Sequence, residues 1–122
     1  MGIHEDEFDT PTLLINLPTM EDNQRQMGEC FRGGEVALRP HVKLHKATPA
    51  LAYCQLAAVA IGLTCAKSAV AEELAGAGVH DLLIANQIFR ERKIRRPVNL
   101  TAYTHVMVAM DDPENVRKLS WG

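Results

Sequence analysis

Short apolar runs begin near residues 36, 62, 81 and 105, and each gives way to a segment with helical punctuation. That spacing leaves room for one strand and one helix per unit, the pattern of consecutive βα units. Strands joined this way run parallel, because each helix returns the chain to the starting end of the sheet. The purest run, Leu82-Leu83-Ile84-Ala85, has no polar alternation and suits a strand buried on both faces.

The helical segments carry their own start and stop signals. Thr48-Pro49 and Asp112-Pro113 each place a capping side chain before a proline, and proline in the first turn costs no intrahelical bond. Pro18-Thr19 marks an earlier helix start, and Met20, Met27 and Phe31 recur at helical spacing as far as Gly33-Gly34. Leu51, Cys54, Ala58 and Ile61 share a face of the helix after Pro49. Ser68 is placed to cap a helix ending at Gly76-Ala77-Gly78. Pro97 follows the basic run Arg90 to Arg96, and a proline in a helix interior costs about 3 kcal/mol, which predicts a short or bent helix.

The expected fold class is therefore α/β. Residues 1–10 are polar and acidic and read as a disordered arm; Thr12 to Leu17, between Pro11 and Pro18, reads as a leading β-strand followed by a helix. The domain would span 11–122, with strands near 36–40, 62–66, 81–85 and 105–110. A chain of 122 residues holds one modest domain. These units could form a small open sheet, or the first half of a (β/α) TIM-type barrel, which needs about 250 residues when complete. In the barrel reading the outermost strands present unpaired edges, through which the chain could homo-oligomerise.

Charge and cysteine content exclude several classes of function. With 13 basic and 15 acidic residues the net charge is -2, which points to neither a nucleic-acid partner nor an anionic membrane. Arg90, Arg92, Lys93, Arg95 and Arg96 lack interleaved aromatics and read as a solvated helix face. The three cysteines show no C-x-x-C spacing, so a disulfide framework or zinc site is not indicated and a cytoplasmic location is expected. The acidic N-terminus has no apolar core of a signal peptide, and the run Leu51 to Ile61 is too short, and broken by Gln55, to span a membrane.

One stretch has a composition that packing does not require: Arg39-Pro40-His41-Val42-Lys43-Leu44-His45-Lys46. An apolar run rises into it and a helix leaves it, which delivers an amine to the rim of an α/β fold. A lysine forms an imine with an aldehyde only when deprotonated, and burial and nearby positive charge favour that state. Arg39, His41, His45 and Lys46 are the neighbours Lys43 has for this purpose. On composition alone Lys43 could equally be a surface lysine on a loop. His41 and His45 stand four apart, but the local pattern is strand-to-loop and lacks the glutamate of a helical zinc motif, so no metal site is expected. Lys67 and Asn86 follow strand ends, where a barrel carries its active site. Cys65, inside a strand, reads as core.

The Arg-Pro-His-x-Lys-x-His-Lys string resembles the D-threonine aldolase and D-serine dehydratase group, pyridoxal-phosphate enzymes with an alanine-racemase-like N-terminal barrel. Pro11 to Leu17, Thr64 to Lys67, Asp81 to Asn86 and Asp111 to Val116 extend the resemblance across most of the chain. The resemblance implies that Lys43 carries pyridoxal 5'-phosphate as a Schiff base. Beside it, Arg39, Lys67 and Asn86 are expected as cofactor contacts from their places next to Lys43 and at strand ends, and His41 and His45 as acid–base or orienting catalytic residues. The resemblance further implies a lyase acting on a small D-hydroxy-amino acid, by retro-aldol cleavage or by loss of water. It also implies a divalent metal, whose His and Cys ligands belong to a C-terminal domain outside this sequence. The leading strand would pair with that domain. Leu44 departs from the threonine the family often has, and Asn16 from its usual aspartate; Pro97 and the region 99–105 also depart. The expectation is an N-terminal piece of such an enzyme, inactive by itself. A non-catalytic fragment, an oligomerising interaction protein and a pyridoxal-phosphate-dependent amino-acid racemase stay open beside it.

Overall fold

The computed structural model describes residues 2–120; Met1 of the expected arm, and Trp121 and Gly122 after the last helix, lie outside the described residues. After a single 3-10 turn at Glu5–Glu7 the elements are α1 (Leu17–Phe31), α2 (Pro49–Ala58), β1 (Leu63–Cys65), α3 (Ser68–Gly76), β2 (Asp81–Ile84), α4 (Glu91–Leu100), β3 (His105–Val108) and α5 (Pro113–Ser120). The strands form a parallel sheet in the order β1-β2-β3. The structure is thus α/β with a small parallel sheet.

Register fixes which residues share a level. Leu63 pairs with Leu82 and Leu82 with Val106; Cys65 pairs with Ile84 and Ile84 with Val108. These residues point to the face that α3 and α4 cover, where Leu63, Cys65, Leu82 and Ile84 are fully buried with Ala71, Leu74 and Ile94. Each such leucine or isoleucine contributes about 1.5–3 kcal/mol by leaving water. On the opposite face Leu83 pairs with Met107, and both are only half-buried.

Two expected strands behave differently. Residues 12–16 form no strand, and Leu13 is 89% exposed. Strand geometry persists where neighbouring backbone satisfies its amides and carbonyls, and this segment has no strand beside it among the described residues. Its polar end instead starts α1: Asn16 caps the helix by accepting from the Thr19 amide at 3.0 Å. Residues 36–40 are extended rather than a regular strand, yet they flank β1. Ile61 donates to the Leu38 carbonyl (3.0 Å), Thr64 to that of Pro40 (2.8 Å), and Val42 to that of Thr64 (2.9 Å), with one parallel bridge between His41 and Thr64. Pro40 has no amide to give, so the ladder cannot be regular there.

The helix signals hold with local amendments. α1 meets α2 through the buried Gly28, where a Cβ would come within 2.9 Å of Val59 Cγ1; Met27, expected on the packed face, is 52% exposed. α3 ends as the glycines predict, with Gly78 at φ 90° and the Val79 amide reaching back to the Leu74 carbonyl at 3.0 Å. Lys67, rather than Ser68, occupies the cap position of α3, and the Thr48 hydroxyl donates back to the His45 carbonyl (2.7 Å) instead of capping α2. α4 is short but runs on through Pro97. The ring is fully buried, which offsets the missing hydrogen bond. No helix among the described residues is long and apolar enough to cross a membrane.

The lower end of the sheet is tied by charge. Arg39 pairs with Asp81 at the start of β2, and His105 at the start of β3 approaches the same carboxylate at 3.4 Å. Gly62 makes room for this: a Cβ there would lie 2.7 Å from the Asp81 carbonyl oxygen and closer still to the Arg39 guanidinium. A clash against backbone has no flexible side chain to absorb it. Gly62→Ala is expected to destabilise the fold by about 1–3 kcal/mol, read from urea unfolding; an unchanged midpoint would mean that the glycine does not seat the ion pair.

Candidate functional site

Because the strands are parallel, their C-terminal ends share one edge, and the segments leaving them meet there. Cross-links set the spacing. Ala85 donates to the Cys65 carbonyl and Ala109 to that of Ile84, each at 2.9 Å. The Asn86 side chain donates to the Ala66 carbonyl at 3.0 Å, and Gln87 to Asp111 Oδ2 at 3.0 Å. Asn86 and Lys67 therefore stand on this edge, Lys67 exposed at the start of α3.

Lys43 belongs to the same edge. The bridge sets His41 level with Thr64, so two residues further on the chain has passed the end of β1. It then turns sharply. Val42, only 1% exposed, anchors one side of the turn and buried Ala47 the other, leaving Lys43 exposed between them. The Lys43 amide donates to His41 Nδ1 (2.9 Å) and the Lys46 amide to the Val42 carbonyl (2.8 Å). Lys46 and Ala47 adopt φ of 48° and 68°, left-handed backbone that residues with a Cβ avoid at a cost of about 1–2 kcal/mol each. His45 reaches from the turn to α2, its Nε2 lying 3.1 Å from Gln55 Oε1.

Arg39 stands apart. Its guanidinium is on Asp81 at the opposite end of the sheet from Lys43, Lys67 and Asn86. The structure thus brings His41, Lys43, His45, Lys67 and Asn86 to one end and assigns the arginine to the other. Reading the sequence alone missed Gln55, Gln87 and Asp111 as partners at the first end and Asp81 at the second. Gln55 did leave a signal, as the one polar break in an alanine-rich helical run. Among the described residues no cluster of three or more His, Cys, Asp or Glu side chains could hold a metal ion.

The chemistry this edge can perform follows from its donors. It offers an exposed primary amine at Lys43, a second lysine at Lys67 beside a helix N-terminus, and the amide of Asn86. Cys65 lies behind it with its thiol 3.6 Å from the Lys67 carbonyl, and burial pushes that thiol up to about 11. It is protonated at neutral pH and is no nucleophile.

No family model matches the chain. It is 33% identical over 121 residues to a 3-hydroxy-D-aspartate aldolase of Paracoccus denitrificans, covering 98% of this chain and 31% of the relative. Its fold superposes on the crystal structure of D-threonine aldolase from Filomicrobium marinum with a TM-score of 0.87 and 34% identity, over 93% of this chain and 30% of that one. D-threo-3-hydroxyaspartate dehydratase from Delftia sp. HT23 gives a TM-score of 0.84 at 27% identity, over 94% of this chain and 30% of that one. The chain spans about a third of the length of the curated relatives it matches.

The buried thiol gives a test of the packing behind this edge. A thiol reagent at pH 8 should label the exposed Cys30 and leave Cys65 untouched until unfolding. With the folded value near 11 against an ordinary 9.0, stability from Cys65 is full below pH 9 and is lost as pH rises to 11. The loss is about 2–3 kcal/mol, and Cys65→Ala should flatten that part of the curve. A native Cys65 that labels as fast as Cys30 would contradict this packing.

Proposed function

We propose that this chain, homologous along 98% of its length to 3-hydroxy-D-aspartate aldolase and more broadly to D-threonine aldolases and 3-hydroxyaspartate dehydratases, is part of a pyridoxal-phosphate-dependent lyase. The observation that carries the reading is the position of Lys43: an exposed amine past the end of β1, on the edge where a parallel sheet presents its site. In this reading the sheet is part of a (β/α) barrel of the alanine-racemase type, extended beyond the strands described above.

The residues present suit pyridoxal phosphate. Lys43 would supply the amine to hold the cofactor's aldehyde, and Lys67, beside the N-terminus of α3, would supply positive charge for its anionic group. Asn86 is tied to the loop after β1 and keeps that rim in place. Arg39 acts from the other end as a strut for the strand that carries Lys43 and does not touch the cofactor. When bound, the cofactor supplies an electron sink for bond cleavage at the α-carbon of an amino acid. The substrate is a small D-hydroxy-amino acid, and aldehyde or ammonia release distinguishes the aldolase from the dehydratase outcome. Three free thiols, one of them exposed, support a reducing cytoplasm as the setting.

A second reading has its own observation. The outer edge of β3 has no strand partner among the described residues, and beside it Pro97, Val98, Val106, Val108, Val116 and Leu119 line an apolar groove of about 220 Å³. Such an edge can pair with a second chain. A dimer or larger species on sizing, without cofactor capture, would favour this reading.

The decisive experiment is covalent capture. The folded chain is incubated with pyridoxal phosphate, reduced with borohydride, digested and weighed. A dominant adduct on Lys43, abolished in Lys43→Ala, is expected. Adducts spread evenly over the lysines, or none, would overturn the cofactor reading.

A further inference from the structure

We propose that His45 and Gln55 form a positioning pair that holds the Lys43 turn in its strained shape; this rests on the cofactor reading above. The turn is fixed at its two ends, where Val42 and Ala47 are buried in the core. Between them the backbone passes through two consecutive left-handed residues, Lys46 and Ala47, neither a glycine. Such a conformation persists only where its surroundings over-determine it. Burial at the two ends does not fix the rotation of the residues between.

The local hydrogen bonds converge on His45. Its carbonyl accepts from both the Thr48 amide (3.1 Å) and the Thr48 hydroxyl (2.7 Å), which ties the turn to the start of α2. Its ring spans to the middle of the same helix, where Nε2 meets Gln55 Oε1 at 3.1 Å. An amide oxygen only accepts, so Nε2 is the donor in this contact. Nδ1 is enclosed with no partner. The bond to Gln55 is therefore the one hydrogen bond the half-buried ring makes among the described residues. Without it the ring gains by turning out to water. The His45 backbone would follow, and with it the acceptor for Thr48 and the constraint on Lys46. Lys43 would keep its amine, and the turn that carries it would lose its fixed shape. His45 acts here through the turn and touches no reacting atom.

Two readouts separate positioning from mere support. The first needs no cofactor: amide hydrogen exchange at Lys46, whose amide is bonded across the turn to Val42. Gln55→Leu should speed that exchange at least tenfold, and His45→Phe, which keeps the ring's bulk, should do the same. Gln55→Glu, which keeps the acceptor, should stay near the unsubstituted rate. The second is the ratio of borohydride-fixed pyridoxal phosphate on Lys43 to that on Lys67. It should fall several-fold in Gln55→Leu and recover in Gln55→Glu. Unchanged Lys46 exchange in Gln55→Leu overturns the pair as a brace. Faster exchange with an unchanged adduct ratio overturns positioning and leaves only support. Absence of any Lys43 preference in the unsubstituted chain overturns the cofactor reading beneath the proposal, and it shows before any substitution is made.

Discussion

Parallel pairing is the constraint from which the rest of the molecule follows. Once β1, β2 and β3 run in one direction, the sheet has two chemically different ends. The two helices that connect its strands, α3 and α4, leave from one end and return the chain to the other. Arg39, Asp81 and His105, far apart in sequence, collect at the returning end because register leaves them nowhere else to be. Lys43, Lys67 and Asn86 collect at the other for the same reason. The ion pair and the exposed lysines are thereby divided between two ends of a sheet built on three short strands.

Much of this was legible in the sequence, for physical reasons that can be named. Apolar runs such as Leu82 to Ile84 report burial directly, and they reappear as fully or half-buried strand. Proline and glycine report local backbone needs, so the starts of α1 and α2 and the stop after Gly76 were readable. What failed depended on partners. Thr12 to Leu17 has the composition of a strand, but a strand is a relation between two segments and its composition describes only one. Pro97 was read by its local cost, whereas its ring turned out to be packed in the core. The ends of the sheet were half legible. Lys43 stood out by its neighbours, while Arg39, from the same string, carried nothing to say that it faces away. Two residues of one motif lie on opposite ends because a strand of only a few residues already spans the sheet from edge to edge.

The turn that bears Lys43 shows how local strain and distant packing depend on one another. Lys46 and Ala47 are unfavourable as isolated backbone choices. Burial of Val42 and Ala47 offsets part of that cost by tying both ends of the turn to the core. Leu44, 94% exposed at the crest, contributes nothing to this balance and leaves an apolar side chain in water beside the amine.

The attachment of α1 has a consequence for how the molecule comes apart. Only Gly28 of that fifteen-residue helix is buried, and its packing partner is α2. Little apolar area is lost when α1 lifts away, so this segment lies at the low end of the molecule's range of opening free energies while the sheet lies at the top. Between these extremes sits α2, which α1 covers on one side and which reaches the Lys43 turn through Gln55 on another. Detachment of the first helix would uncover the side of α2 that it packs on, and α2 is the helix on which the Lys43 turn rests through Gln55.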